Sequence, residues 1–148
     1  AAGNQRSAIN WYERGEALFR ELIALQRDYA ADLGLRSIWK SLADSQLKAA
    51  NPSGALHSAA EQLRFDERLL ATSPVNASAK ENQAVASEQS GDAVRLSGNM
   101  RDARAWYQKA LDILLQQQAS AKLTRLAAQG IPRLEMRIAA CDRTPSRQ

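Results

Sequence analysis

Few side chains in this sequence are suited to covalent or metal chemistry. His57 is the sole histidine, Cys141 is the sole cysteine, and the chain has no glycine-rich phosphate-binding loop. One histidine cannot build a multi-histidine metal site, and one cysteine excludes an internal disulfide and a cysteine-based zinc site. We expect His57 on the outer surface, near the start of the third predicted helix. Because Cys141 lies on a different predicted helix from His57, we expect it to be a small buried thiol rather than the nucleophile of a Cys–His pair. The sequence therefore predicts no catalytic residue, no metal site and no cofactor.

Paired carboxylates can act as a general acid and a general base, and Asp66 and Glu67 form such a pair. Arg64 and Arg68 flank them on the same predicted helix. Solvated ion pairs along a helix surface are sufficient to explain this arrangement. We therefore interpret the pair as part of an exposed, charged helix face.

Two groups of charged side chains recur at helical spacing, so each group lies along one face of a helix. They are Lys40, Asp44 and Lys48 in one segment and Glu88, Asp92 and Arg95 in another. Such a face either holds solvated ion pairs, each worth a few tenths of a kcal/mol, or presents its charges to a partner. The spacing alone leaves both interpretations open.

The composition favours helices over strands. The chain has 148 residues, the length of one domain, and contains 28 alanines but only 5% aromatic residues. Alanine favours helix and lets helix backbones approach closely. No run of alternating β-branched and polar residues is bounded by hairpin turns. We therefore predict an all-α fold.

The net charge of +4 comes from residues 119–148, where six basic residues outnumber Glu135 and Asp142. These basic residues are dispersed and no aromatic residues lie among them, so we expect no nucleic acid partner. No segment approaches the ~18 apolar residues of a membrane span. The compartment is unknown, and a cytoplasmic location is favoured. The first recognisable segment is half of the repeat described below, so we expect the chain to be part of a longer protein.

Apolar side chains recur at helical spacing in six segments, separated by proline, glycine and asparagine signals. The predicted helices cover residues 5–31, 36–50, 54–72, 77–97, 100–118 and 132–142. The recurring side chains of the first helix are Ile9, Tyr12, Leu18, Leu22 and Leu25. Predicted stops include Gly34, Pro52 and Pro74. Residues 119–129 either continue the fifth helix or form another, which gives about seven helices, and residues 143–148 are expected to be a disordered tail.

A recurring short pattern indicates that these helices form repeats. The pattern Ala-x-x-Trp-Tyr-x-x-Gly at residues 8–15 returns 95 positions later, with alanine in place of glycine, at residues 103–110. A third copy is marked 48 positions before Ala103, Tyr107 and Leu111 by Ala55, Ala59 and Leu63. Repetition of this kind is typical of stacked helix pairs, which offer surface to another protein and contain little internal chemistry.

Two of the units resemble tetratricopeptide repeats, whose pattern is Trp-x2-Leu-Gly-x2-Tyr in a first helix and Ala-x3-Phe in a second. The matching residues are Trp39, Leu42, Ala43 and Ala55 in one unit and Gly91, Ala103, Tyr107 and Ala110 in the next. The resemblance implies that Gly91 lets two helices approach and that Tyr107 fills the groove beside it. Trp39 is expected in the core, whereas Trp11 and Trp106 are expected to be partly exposed. The long period indicates a long-repeat variant, similar to arrays in bacterial multidomain proteins.

The resemblance implies a right-handed α-α superhelix of helical hairpins over residues 1–142. The implied units are a second half-repeat at 5–31, repeats at 36–72 and 77–118, and capping helices at 119–142. First helices of such arrays line a concave groove and second helices form the convex back. The implied groove positions are Ser37, Lys40, Ser41, Asp44, Leu47, Lys48, Val85, Glu88, Gln89, Asp92, Arg95 and Leu96.

Such a groove implies a non-catalytic scaffold that binds a protein or peptide in preformed positions. Lys40 could contact a peptide carboxylate, but Asp44 and Asp92 would repel it. We therefore expect no clamp on the C-terminus of a chaperone. The alternative function is a regulatory or oligomerising appendage of a larger bacterial protein. The sequence also leaves open whether the chain forms a homodimer.

Overall fold

The computed structural model describes residues 2–26 and 29–143, with the side chains of residues 5–21 and 33–143. Over these ranges the chain forms seven helices and no strand, which confirms the all-α prediction. The helices are α1 (Ala2–Gln26), α2 (Tyr29–Lys48), α3 (Pro52–Thr72), α4 (Ala77–Leu96), α5 (Met100–Ala119), α6 (Arg125–Ala128) and α7 (Gly130–Arg143).

Asparagine side chains cap the first turn of three helices, one of them next to the predicted helix start at residue 77. Asn51, Asn76 and Asn99 each accept a hydrogen bond from the backbone N–H three residues later, at 3.0, 2.9 and 3.1 Å. These bonds satisfy backbone donors that have no partner inside the helix. Gly98 follows α4 with a φ of +86°, a left-handed conformation that ends a helix without strain in glycine.

The helices pack in the order in which they occur in the chain. Each helix from α1 to α5 contacts the next, α7 packs against α5, and a smaller contact joins α2 to α4. The core lies along these junctions and contains Trp39 and Tyr107, both almost fully buried. A Cβ atom on Gly91 would lie only 2.5 Å from Cε1 of Tyr107. The close approach expected at Gly91 is therefore confirmed.

The first hairpin differs from its prediction. The helix expected over 5–31 ends at Gln26, and the helix expected over 36–50 begins at Tyr29, so Gly34 lies inside α2. A Cβ atom on Gly34 would lie 2.5 Å from Cε1 of Phe19 in α1. The glycine is required by this helix contact, and the prediction that it stops a helix was wrong.

Other predictions about the first helix and the C-terminal region can also be compared with the structure. Leu18, one of the recurring apolar side chains of the predicted first helix, is 61% exposed. The side chains of Leu22 and Leu25 lie outside the described residues. In the region 119–129, α5 ends at Ala119 and the short α6 follows as a separate helix. The predicted tail lies outside the described residues, except for Arg143, which ends α7.

Candidate functional site

A cavity of about 600 Å³ lies between α2, α4 and the C-terminal helices. Five of the predicted groove residues line it: Lys40, Asp44, Glu88, Gln89 and Asp92. Val85, another implied groove position, lines it as well. The other implied groove positions are not part of its lining: Ser37, Ser41, Leu47, Lys48, Arg95 and Leu96. We call this cavity the α2–α4–α7 groove.

Gln89 joins the two walls formed by α2 and α4. Its side chain is buried, and its Nε2 donates to the backbone oxygen of Lys40 at 3.0 Å and to Oδ1 of Asp44 at 2.7 Å. The ammonium group of the exposed Lys40 has no ion-pair partner among the described residues. The ion pair that four-residue spacing allows between Lys40 and Asp44 is therefore replaced by a contact between helices.

The third wall is supplied by α7, which the sequence did not place at the groove. Arg133 donates from Nε and Nη2 to the two carboxylate oxygens of Glu88, at 2.7 and 2.8 Å. Arg137 lies 3.5 Å from the same carboxylate. The bond with Glu88 raises the pKa of Arg133, so its guanidinium group stays charged near neutral pH.

The carboxylate of Asp92 also contacts side chains of α4, α5 and α7. The Tyr107 hydroxyl donates to its Oδ1 at 2.7 Å, Arg137 forms an ion pair with it, and Arg95 lies 3.9 Å away. Burial raises the pKa of Tyr107, so its phenol remains a donor at neutral pH. Asp92 is thus a link between α4, α5 and α7, and its negative charge is largely compensated.

The rim of the groove is held by a contact between α4 and the segment before α6. Glu81 accepts from the backbone N–H of Thr124 at 2.6 Å and from its hydroxyl at 3.0 Å. Leu126, next to this contact, is 79% exposed and lines the cavity together with the half-buried Val85. The groove therefore combines apolar surface with fixed charges.

The missed residues had a signal in the sequence. The bonds between α2 and α4 join residues 45 and 49 positions apart, and those from α4 to the C-terminal helices join residues 43 and 45 positions apart. These separations are close to the 48-residue period read from the alanines. Continuing that period from Glu88 leads to Met136 in α7, three residues from Arg133.

Outside the groove, Asp66 corrects one sequence interpretation. Its side chain is completely buried rather than solvated, and its Oδ1 pairs with Nη1 of Arg36 from α2 at 3.1 Å. Burial raises its pKa to about 6, although Arg36 opposes the shift. Periodicity could not reveal this contact because it depends on which helix covers α3.

The remaining reactive side chains have the positions that the sequence predicts. His57 is exposed at the start of α3, and Cys141 is buried in the core of the C-terminal helices. Burial raises the pKa of the Cys141 thiol, which makes it a poor nucleophile. Trp11 and Trp106 are exposed and half-buried, as expected.

Comparison with known proteins finds no matching family model, no matching curated protein and no matching solved structure. Among the residues that the structure describes, no group of three or more metal-ligating side chains is placed to hold a metal ion. None of the helices within 2–26 and 29–143 combines the length and the apolar character that a bilayer span requires.

Proposed function

We propose that this chain is a non-catalytic scaffold module that binds a segment of another protein in the α2–α4–α7 groove. The observation that carries the proposal is the set of cross-helix contacts made by the groove residues themselves. Gln89 fixes α4 to α2, and Glu88 fixes α4 to Arg133 of α7. A groove whose walls are already fixed loses little conformational entropy when it binds a ligand.

The proposal includes a tetratricopeptide-like superhelix in which α2, α4 and α7 are successive first helices on the concave side. Packing between neighbours in sequence, and the smaller contact between α2 and α4, support it. So does the recurrence of groove contacts at separations of 43 to 49 positions. Each first helix then contributes one layer of the groove.

The groove chemistry favours a peptide with an apolar side chain beside an acidic one, because the repulsion expected from Asp92 is reduced by its ion pair with Arg137. Val85 and Leu126 offer apolar contact, and Lys40 is the groove cation that has no carboxylate partner among the described residues. Arg133 and Arg137 are already paired with carboxylates. A clamp on the terminal carboxylate of a chaperone needs several donors without carboxylate partners. We therefore still predict that the chain does not bind chaperone C-termini in this way.

The test uses peptides selected from a random display library on the wild-type chain. We expect Lys40→Glu to weaken their binding by about ten-fold or more, equivalent to about 1.4 kcal/mol or more, because the ligand carboxylate then meets a like charge. Calorimetry with purified variants measures the change in Kd.

Lys48→Glu is the matched control for this measurement. It makes the same charge change on the same helix, at an exposed residue outside the groove lining. We expect it to bind the selected peptides like wild type. Equal affinities of wild type and Lys40→Glu would rule out the groove as the binding site.

A second candidate function is a regulatory or oligomerising appendage of a larger bacterial protein. The observation that favours it is the exposure of Trp11 and Leu18, at 71% and 61%, on the outer side of α1. Large apolar side chains at the end of a helical stack are suited to contact with another chain or domain.

A further inference from the structure

Apolar and charged side chains alternate along the outer side of α1. Trp11, Arg14, Leu18 and Glu21 follow one another at intervals of three, four and three residues, so they form one stripe along the helix. All four are exposed. We call them the α1 stripe. The α2 side of α1 is different, since Gly15 and Phe19 face Ile38 and Gly34 there.

The apolar members of the α1 stripe are seven positions apart. Intervals of three and four that add to seven are the spacing by which helices pair along a narrow seam. The terminal helix of a repeat array usually has a polar outer face. The exposure of Trp11 and Leu18 departs from that pattern and leaves an apolar seam without a partner in the described part of the chain.

The charged members of the stripe are also seven positions apart, and they have opposite signs. The guanidinium group of Arg14 lies 5.8 Å from the centre of the Trp11 ring. Neither Arg14 nor Glu21 forms an ion pair within the described residues. Two turns of helix therefore separate one available positive charge from one available negative charge on the same seam.

We propose that the α1 stripe binds a second copy of this chain, with the two α1 helices antiparallel about a two-fold axis beside Leu18. In this register Arg14 lies opposite Glu21 of the second copy, and symmetry repeats the pair on the other side of the axis. The two Leu18 side chains meet at the axis, and each Trp11 covers an outer end of the seam. A parallel pair would instead place Arg14 against Arg14 and Glu21 against Glu21.

The interface is small, because a seam of three helical turns per chain buries less surface than a standard stable complex. The dimer therefore forms weakly, and its measurement needs a concentration series that reaches the millimolar range. This inference narrows the second candidate function and is independent of the groove. Its failure would leave the groove proposal untouched, since Lys40 and Leu18 lie on different surfaces.

Sedimentation equilibrium of the full chain and two charge variants tests the register. Arg14→Glu makes both charged positions of the stripe acidic, and Glu21→Arg makes both basic. We expect wild type to dimerise. Each variant alone should have a dimer Kd that is higher by about ten-fold or more. An equimolar mixture of the two variants regains association, because every acidic position then faces a basic one.

Exposed apolar residues elsewhere provide the control. Leu18→Ser removes the side chain at the axis and abolishes the dimer, whereas Met136→Ser, at a residue of α7 that is 65% exposed, leaves it unchanged. All these positions are on the surface, so the variants remain folded. A monomeric wild type, a dimer insensitive to both charge variants, or a mixture that does not associate would each overturn the proposal.

Discussion

Asp66 is a buried carboxyl group whose protonation is linked to folding. Its pKa is raised from 3.8 to about 6, with burial as the main cause, so the folded chain holds this proton more tightly than the unfolded chain. The stability that protonation contributes is therefore complete below about pH 4 and is lost as the pH rises through about 6. A pKa shift of this size corresponds to a contribution on the order of 2 to 3 kcal/mol to the free energy of unfolding.

We predict that Asp66→Asn removes this component. Relative to the variant, wild type should lose stability between about pH 4 and pH 7, because an amide at this position does not titrate. Urea denaturation over that pH range measures the difference in the free energy of unfolding. Glu67→Gln is the control, since it removes a neighbouring exposed carboxylate, and its profile should follow wild type. Parallel profiles of wild type and Asp66→Asn would refute the linkage.

The burial and contacts of some residues can be predicted from the sequence, and those of others cannot. The contact of Gly91 with Tyr107 and the burial of Trp39 agree with what the resemblance implied, because the tetratricopeptide pattern specifies which residues are large and which are small. The burial of Asp66 depends on Arg36, which is 30 positions away on another helix. Local spacing contains no information about that pairing.

At the scale of the helices, the ion pair between Arg133 and Glu88 connects the C-terminal helices to α4 across the groove. Arg133 is about half exposed, so the pair contributes no more than about 1 kcal/mol to global stability. Its main effect is expected to be local. It limits the opening of the segment that includes α6, which contacts α4 through the bonds of Glu81 with Thr124.

We predict that Arg133→Gln increases hydrogen exchange at the backbone amides of residues 123–129 several-fold while changing global stability by less than about 1 kcal/mol. Mass-spectrometric hydrogen exchange measures the first quantity and urea denaturation the second. Arg104→Gln is the control, because it removes an exposed ion pair between α5 and α7 that is not part of the groove. Identical exchange in both variants would contradict the role assigned to Arg133.

The ends of the helices were predicted best where a cap or a proline marks them. After Asn76 and Asn99, α4 and α5 begin at the predicted residues 77 and 100, whereas α3 begins at Pro52, two residues before the predicted start. The connection between α1 and α2 has neither a capping residue nor a proline. Gly34 was wrongly predicted to end a helix, since it lies inside α2. A glycine has the same sequence signal whether it ends a helix or lies at a close contact with an aromatic ring.

At the scale of the whole molecule, sequential packing of the helices accounts for where the predicted site residues lie. α2 and α4 bring Lys40, Asp44 and Gln89 together, and α7 adds arginines to the same cavity. The all-α class could be predicted from composition. The superhelical path and the function stay proposals, since they depend on a resemblance and on a partner that the sequence does not specify.

The central claim is that a partner occupies the α2–α4–α7 groove. Its most direct test is the ¹H–¹⁵N spectrum of the chain during titration with a peptide selected on it. The account predicts that shifted amides cluster around Lys40, Val85, Gln89 and Leu126, while those of α3 remain in place. Shifts concentrated on α3 or on the outer side of α1 would contradict it.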